Sequence, residues 1–148
     1  MKILAVSALA CAIMALTAAV EWSWMGGPYI TYVEKYMTWA DAEKNCISLG
    51  GHLASMHGLY HRNVIKNLIF KKSRNPDSWL GGSDSEEEGA WRWTDGTAFD
   101  YDNWCPGEPN NGPGVGQNCL YYNAGRRCWD DNECEKQFPS VCMKAEES

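Results

Sequence analysis

Cysteines constrain this chain more than any other feature. One of the seven, Cys11, falls in residues 1–20, where a single early lysine precedes an apolar run that ends in small residues. That pattern is a secretory signal peptide, too short and wrongly flanked for a membrane span. Cleavage near residues 18–21 would remove Cys11 and leave six: Cys46, Cys105, Cys119, Cys128, Cys134 and Cys142. An even cysteine count in a small exported chain reads as three disulfides, and six cysteines admit fifteen pairings. The remaining chain of roughly 125 residues suits a single domain with one core. The expectation is a secreted, extracellular protein with no membrane span.

The second constraint is chemical. Residues 104–131 gather Glu108, Asn110, Asn111, Gln117, Asp130 and Asp131 into two short clusters on either side of a glycine-rich loop, with no histidine among them. Oxygen-only donors suit a hard cation such as Ca2+. Zinc and copper call for imidazole or thiolate. The plain alternative is a solvated polar loop. Against it, Cys105 stands three residues before Glu108, and Cys128 two before Asp130. A bridge between those two would clamp the clusters together. The chain is acidic, with a net charge of −6 and dispersed basic residues, which argues against nucleic acid.

Coarse patterning gives an α+β chain. Residues 21–28 have no usable period and read as a linker. Tyr29, Ile30, Thr31, Tyr32 and Val33 read as a strand. Thr38 with Asp41 resembles a capping box, and Trp39, Ala42, Cys46 and Leu49 recur at helical spacing before Gly50 and Gly51 end the run. A second helix is expected over 59–70, with strands at 79–82, 119–122 and 139–143 and a long stretch without regular pattern over 83–117. His57 and His61 lie four apart, but no third zinc ligand accompanies them, so they read as surface residues. The eight tryptophans and seven tyrosines chiefly supply core.

Glu108-Pro109-Asn110, then Cys119 preceded by two polar residues, then Trp129-Asp130-Asp131 and Cys134 resemble the carbohydrate-recognition domain of C-type lectins. Trp79-Leu80-Gly81-Gly82 and Trp91-Arg92-Trp93 with Asp95-Gly96 are similar to other landmarks of that family. The resemblance spans about 29–145. It implies a C-type lectin-like fold with two helices, small antiparallel sheets and an irregular calcium-binding loop region. It also implies the pairs Cys46–Cys142, Cys119–Cys134 and Cys105–Cys128, the last as in fish lectins and type II antifreeze proteins. The implied Ca2+ ligands are Glu108, Asn110, Gln117, Asp130 and Asp131, with Pro109 following a cis peptide bond. Glu108, Asn110, Gln117 and Asp130 would also hold the sugar, and Trp104, Tyr121 and Tyr122 are each a candidate to stack on it or equally to be core. Glu-Pro-Asn goes with mannose-type sugars in this family, and Gln-Pro-Asp with galactose.

Two positions depart from the family pattern. Gln117 stands where a glutamate is usual, and Asp130 where an asparagine is usual. Three carboxylates are present in either version, but donor and acceptor have exchanged places, which reads as a compensated swap. Asp84, Glu88 and Asn111 match part of a second calcium site, and with carboxylates missing there only weak binding is expected. The resulting expectation is a calcium-dependent carbohydrate-binding lectin, plausible in innate recognition of microbial glycans. Its rivals are ice binding of the type II antifreeze kind, galactose binding, and protein binding on the same fold. An enzyme is not expected, because calcium ligation leaves neither Glu108 nor its aspartate neighbours free as a glycosidase acid. Oligomers are possible, but the sequence has no collagen-like or heptad stalk.

Overall fold

The computed structural model describes residues 19–146 apart from 73, 75 and 113–115, so the signal-peptide expectation lies almost wholly outside the described residues. Tyr29–Met37 (β2) begins with the aromatic and β-branched residues that suit a pleated surface, and it runs on to Met37. Thr38 then caps Trp39–Ser48 (α1), its hydroxyl accepting from the Asp41 N–H at 3.3 Å. Ala42 and Cys46 point into the core from this helix, and the Trp39 indole N–H donates to the Leu80 carbonyl at 2.9 Å. Leu59–Phe70 (α2) buries Ile65 and Ile69.

The other strands are Ser23–Trp24 (β1), His52–Leu53 (β3), Ser78–Ser83 (β4), Arg92–Trp93 (β5), Cys119–Asn123 (β6), Cys128–Asn132 (β7) and Phe138–Lys144 (β8). They form one sheet in the order β1-β2-β8-β4-β6-β7, with β3 paired to β8 and β5 to β4. Only the β4–β8 contact is parallel among these strand pairings. The two helices and the single mixed sheet make the α+β fold that the resemblance implies, though the sheet is more continuous than separate small sheets.

Three local expectations need correction. Residues 21–28 are not a bare linker, because Ser23 and Trp24 pair with Ile30 and Tyr29. The stretch 83–117 contains β5, a short strand on Gly82 and Ser83. His57 and His61 are not simple surface histidines. His57 Nδ1 lies 2.8 Å from Asp100 Oδ1, and its Nε2 lies 3.0 Å from Ser55 Oγ and 2.9 Å from Thr97 Oγ1. His61 Nδ1 accepts the His57 backbone N–H at 3.3 Å. The pair latches the loop after β5 onto the segment before α2.

Disulfides join Cys46 to Cys142, Cys119 to Cys134 and Cys105 to Cys128, the pairing implied by the resemblance. The first staples α1 to β8. Trp79, Trp93 and Trp129 are buried, as the aromatic composition led us to expect, whereas Trp24 stays exposed. Trp129 is the hub under the long loop, with the rings of Trp93, Phe99, Tyr101 and Trp104 centred 5.4 to 6.1 Å from its own.

Candidate metal and ligand site

The loop that carries Glu108 is zipped along β7 before it reaches the site. The Cys105 N–H donates to the Trp129 carbonyl and the Trp129 N–H to the Asn103 carbonyl, both at 2.8 Å. The Cys105–Cys128 bridge closes the same seam, with 4.9 Å between Cα atoms. Glu108 therefore emerges beside Asp130. The Glu108–Pro109 peptide is cis. One residue further on, Asp131 is 2% exposed. Its Oδ1 accepts the Asn110 N–H at 3.1 Å and its Oδ2 the Asn111 N–H at 2.7 Å. A buried carboxylate thus fixes two successive amides of the loop.

Glu108, Asp130 and Asp131 converge so that one carboxylate oxygen from each lies within 4.8 Å of the others. Glu108 Oε1 accepts from Asn110 Nδ2 at 3.1 Å, while Oε2 is buried without a partner. Burial, and then the Asp130 and Asp131 carboxylates, push the Glu108 pKa up to about 7. Asp130 Oδ2 accepts from the Tyr121 hydroxyl at 2.9 Å and from Asn123 Nδ2 at 3.4 Å, and its Oδ1 from the Asp131 N–H at 2.9 Å. Arg126 reaches in from the turn between β6 and β7. Its Nη1 is 3.5 Å from Glu108 Oε1 and 3.9 Å from Asp130 Oδ2, and its Nη2 donates to the Pro106 carbonyl at 2.7 Å.

Asn110 and Gln117 join the same loop. Asn110 Oδ1 accepts the Gly112 N–H at 3.0 Å, and Asn111 Oδ1 accepts the Gln117 N–H at 2.7 Å. Gly112 has φ +44°, and a Cβ there would stand 2.5 Å from Gln117 Cδ. Only glycine lets the Gln117 side chain lie so close.

At the second cluster, Asp84 is 3% exposed. With its amide nitrogen facing them, Asn118 donates to Glu88 Oε2 and Asp84 Oδ1 at 3.2 Å each. Asn111, the third residue expected there, has its Oδ1 accepting the Gln117 N–H. The stacking candidates divide, with only Trp104 left half-buried. Tyr122 is fully buried and Tyr121 is 7% exposed, while Trp104 packs against Trp91 with 4.8 Å between ring centres. Sequence reasoning missed Arg126, Asn118, Asn123 and the role of the Tyr121 hydroxyl. Arg126 had a visible signal, since it sits four residues before Asp130.

A buried, unpartnered Glu108 oxygen beside two more carboxylates suits a hard cation, which would use that oxygen without competing for an existing hydrogen bond. The chain is similar to known proteins over most of its length. The chain is 43% identical over 110 residues to a type-2 ice-structuring protein of Brachyopsis segaliensis, a match covering 74% of this chain and 61% of that protein. It spans, in other words, about three fifths of that relative's length. It is 36% identical over 124 residues to the galactose-specific lectin nattectin of Thalassophryne nattereri, covering 83% of this chain and 77% of that protein. The solved structure of a calcium-independent type II antifreeze protein superposes with a TM-score of 0.76 at 39% identity, over 84% of this chain and 91% of that one. The lectin C-type domain matches residues 35–144, most of the described chain, and on that match and these relatives the chain belongs to the C-type lectin domain family.

Proposed function

We propose that this is a secreted, calcium-dependent carbohydrate-binding protein, with residues 1–20 a signal peptide and 29–145 the recognition domain. The observation that carries the reading is the convergence of Glu108, Asp130 and Asp131 around a buried, unpartnered carboxylate oxygen. Asn110 and Gln117 would complete the ligand set of Glu108, Asn110, Gln117, Asp130 and Asp131. A bound Ca2+ supplies positive charge and open coordination positions for two vicinal hydroxyls. Glu108 and Asp130 accept hydrogen bonds from those hydroxyls, while the amides of Asn110 and Gln117 donate to them. Binding is then calcium-dependent, and it is pH-dependent because Glu108 must lose its proton.

Glu108-Pro109-Asn110 supports mannose-type sugars as the ligand class, and a role in innate recognition of microbial glycans follows from such specificity. The likeness to a galactose-specific lectin makes galactose the other arm of the test. We read the site as a binding site and not a catalytic one, since calcium ligation would leave neither Glu108 nor its aspartate neighbours free as an acid. Among the described residues no helix is long and apolar enough to cross a membrane, which is compatible with export. Calorimetric titration with mannose and with galactose, in calcium and then in EDTA, tests the proposal. Heat from one sugar that EDTA abolishes is expected; silence from both sugars sinks the lectin reading.

A second reading has its own observation. The 43% identity to a type-2 ice-structuring protein and the superposition on a calcium-independent antifreeze protein favour ice binding without calcium. Thermal hysteresis in EDTA, with no heat from either sugar, would establish it in place of the lectin.

A further inference from the structure

Three carboxylates meet at this site, and one cation of the chain's own already faces them. The β6–β7 turn is built to deliver it. The Arg126 N–H donates to Asn123 Oδ1 at 3.1 Å, and the Arg127 N–H donates to the Asn123 carbonyl at 2.7 Å, with Arg127 at φ +63°. The turn therefore has a fixed shape, and it aims the Arg126 side chain back along the hairpin toward Asp130. Nη1 contacts Glu108 and Asp130 together, and Nη2 is anchored on Pro106. The Arg126 side chain is 41% exposed, so burial does not lock it in place.

We propose that Arg126 is a built-in counterion of the Glu108–Asp130–Asp131 cluster, and that its charge competes with a divalent cation for the same carboxylates. This rests on the calcium reading above and adds a regulator to it. A Ca2+ bound to these carboxylates sits about 2.3–2.6 Å from each ligand oxygen. Nη1 stands 3.5 Å from Glu108 Oε1, so ion and guanidinium would face the same carboxylate. Like charges that close repel appreciably even at an effective dielectric near 20. Calcium entry therefore works against Arg126, and the protein holds calcium more weakly than its donor set alone would dictate. A purely structural brace makes the opposite prediction: losing Arg126 would loosen the Pro106 loop and weaken calcium binding.

The test is a calorimetric calcium titration of the secreted, disulfide-bonded protein at low salt, for wild type, Arg126→Gln and Arg126→Lys. Arg126→Gln is expected to lower the calcium Kd by about three- to tenfold, given repulsion of that order discounted for solvent exposure. Arg126→Lys, which keeps the charge on a shorter single-point donor, should fall between the two. Melting in EDTA checks that each variant folds. Calcium binding by Arg126→Gln alone also supports the counterion, as it makes Arg126 the barrier. Equal or weaker binding by Arg126→Gln, with wild type binding normally, overturns the counterion and leaves the calcium reading standing. Calcium bound by neither protein overturns the calcium reading and the competition with it.

Discussion

Glu108 is where the chemistry of the site concentrates in a single side chain. Its pKa is raised from 4.5 to about 7 by burial and by its two aspartate neighbours. In the metal-free protein the folded state keeps a proton that the unfolded chain has already lost anywhere between those values. The stability this provides is fully present below about pH 4.5 and is lost as pH rises through 7. Melts in EDTA should therefore show Tm falling from pH 5 to pH 8, with Glu108→Gln flattening that fall. A wild-type Tm that rises steadily over the same range would contradict it. Asp131 has a different duty, because it accepts two loop amides whether or not a metal is present. Asp131→Ala leaves two N–H groups without their acceptor and should cost about 1–3 kcal/mol in EDTA, read from denaturant midpoints. Loss of calcium affinity alone, at unchanged metal-free stability, would deny it the structural part.

At the level of elements, the site is a hairpin and a loop held edge to edge. Asp130 and Asp131 ride on β7, opposite Tyr121 and Leu120 of β6, and the Glu108 loop is fastened to β7 by Cys105–Cys128. The bridge closes a loop of sequence separation 23, so replacing both cysteines by serine should lower stability by about 3 kcal/mol on the chain-entropy account. It should also weaken calcium binding, because Glu108 then has to be ordered when the ion arrives. A calcium Kd unchanged by the double substitution would mean that backbone pairing with Trp129 suffices. The sequence made some elements legible and hid others for physical reasons. α1 could be read because Thr38 and Asp41 mark its start and Ala42 and Cys46 its buried face. β7 could not, since Cys-Trp-Asp-Asp-Asn is poor in strand formers and rich in residues that favour turns. The cluster itself was readable through the family resemblance. Its wiring was not: nothing in the order of residues tells that Asp131 binds the Asn110 and Asn111 backbone.

Considered as a whole molecule, the chain ties its calcium candidate into the edge of the one sheet that runs through the core. Ligation at Asp130 and Asp131 would load β7, and Trp129 between them and Cys128 is buried against the aromatic cluster. A cation bound only in the folded state must then stabilise the entire cooperative unit, not merely a surface loop. At free calcium a hundredfold above Kd that linkage amounts to about 2.7 kcal/mol, or roughly 10 °C in Tm for a domain of this size. Thermal melts across a calcium series should show Tm climbing with the logarithm of calcium once past Kd, and returning on addition of EDTA. Mannose should add a further rise in calcium and none in EDTA. A Tm indifferent to calcium, in a protein that produces thermal hysteresis, would mean that the fold is used as its ice-structuring relatives' names describe. The carboxylates would then be held by Arg126, the loop amides and the side chains of Asn110, Tyr121 and Asn123, and the sheet edge would be complete without a metal.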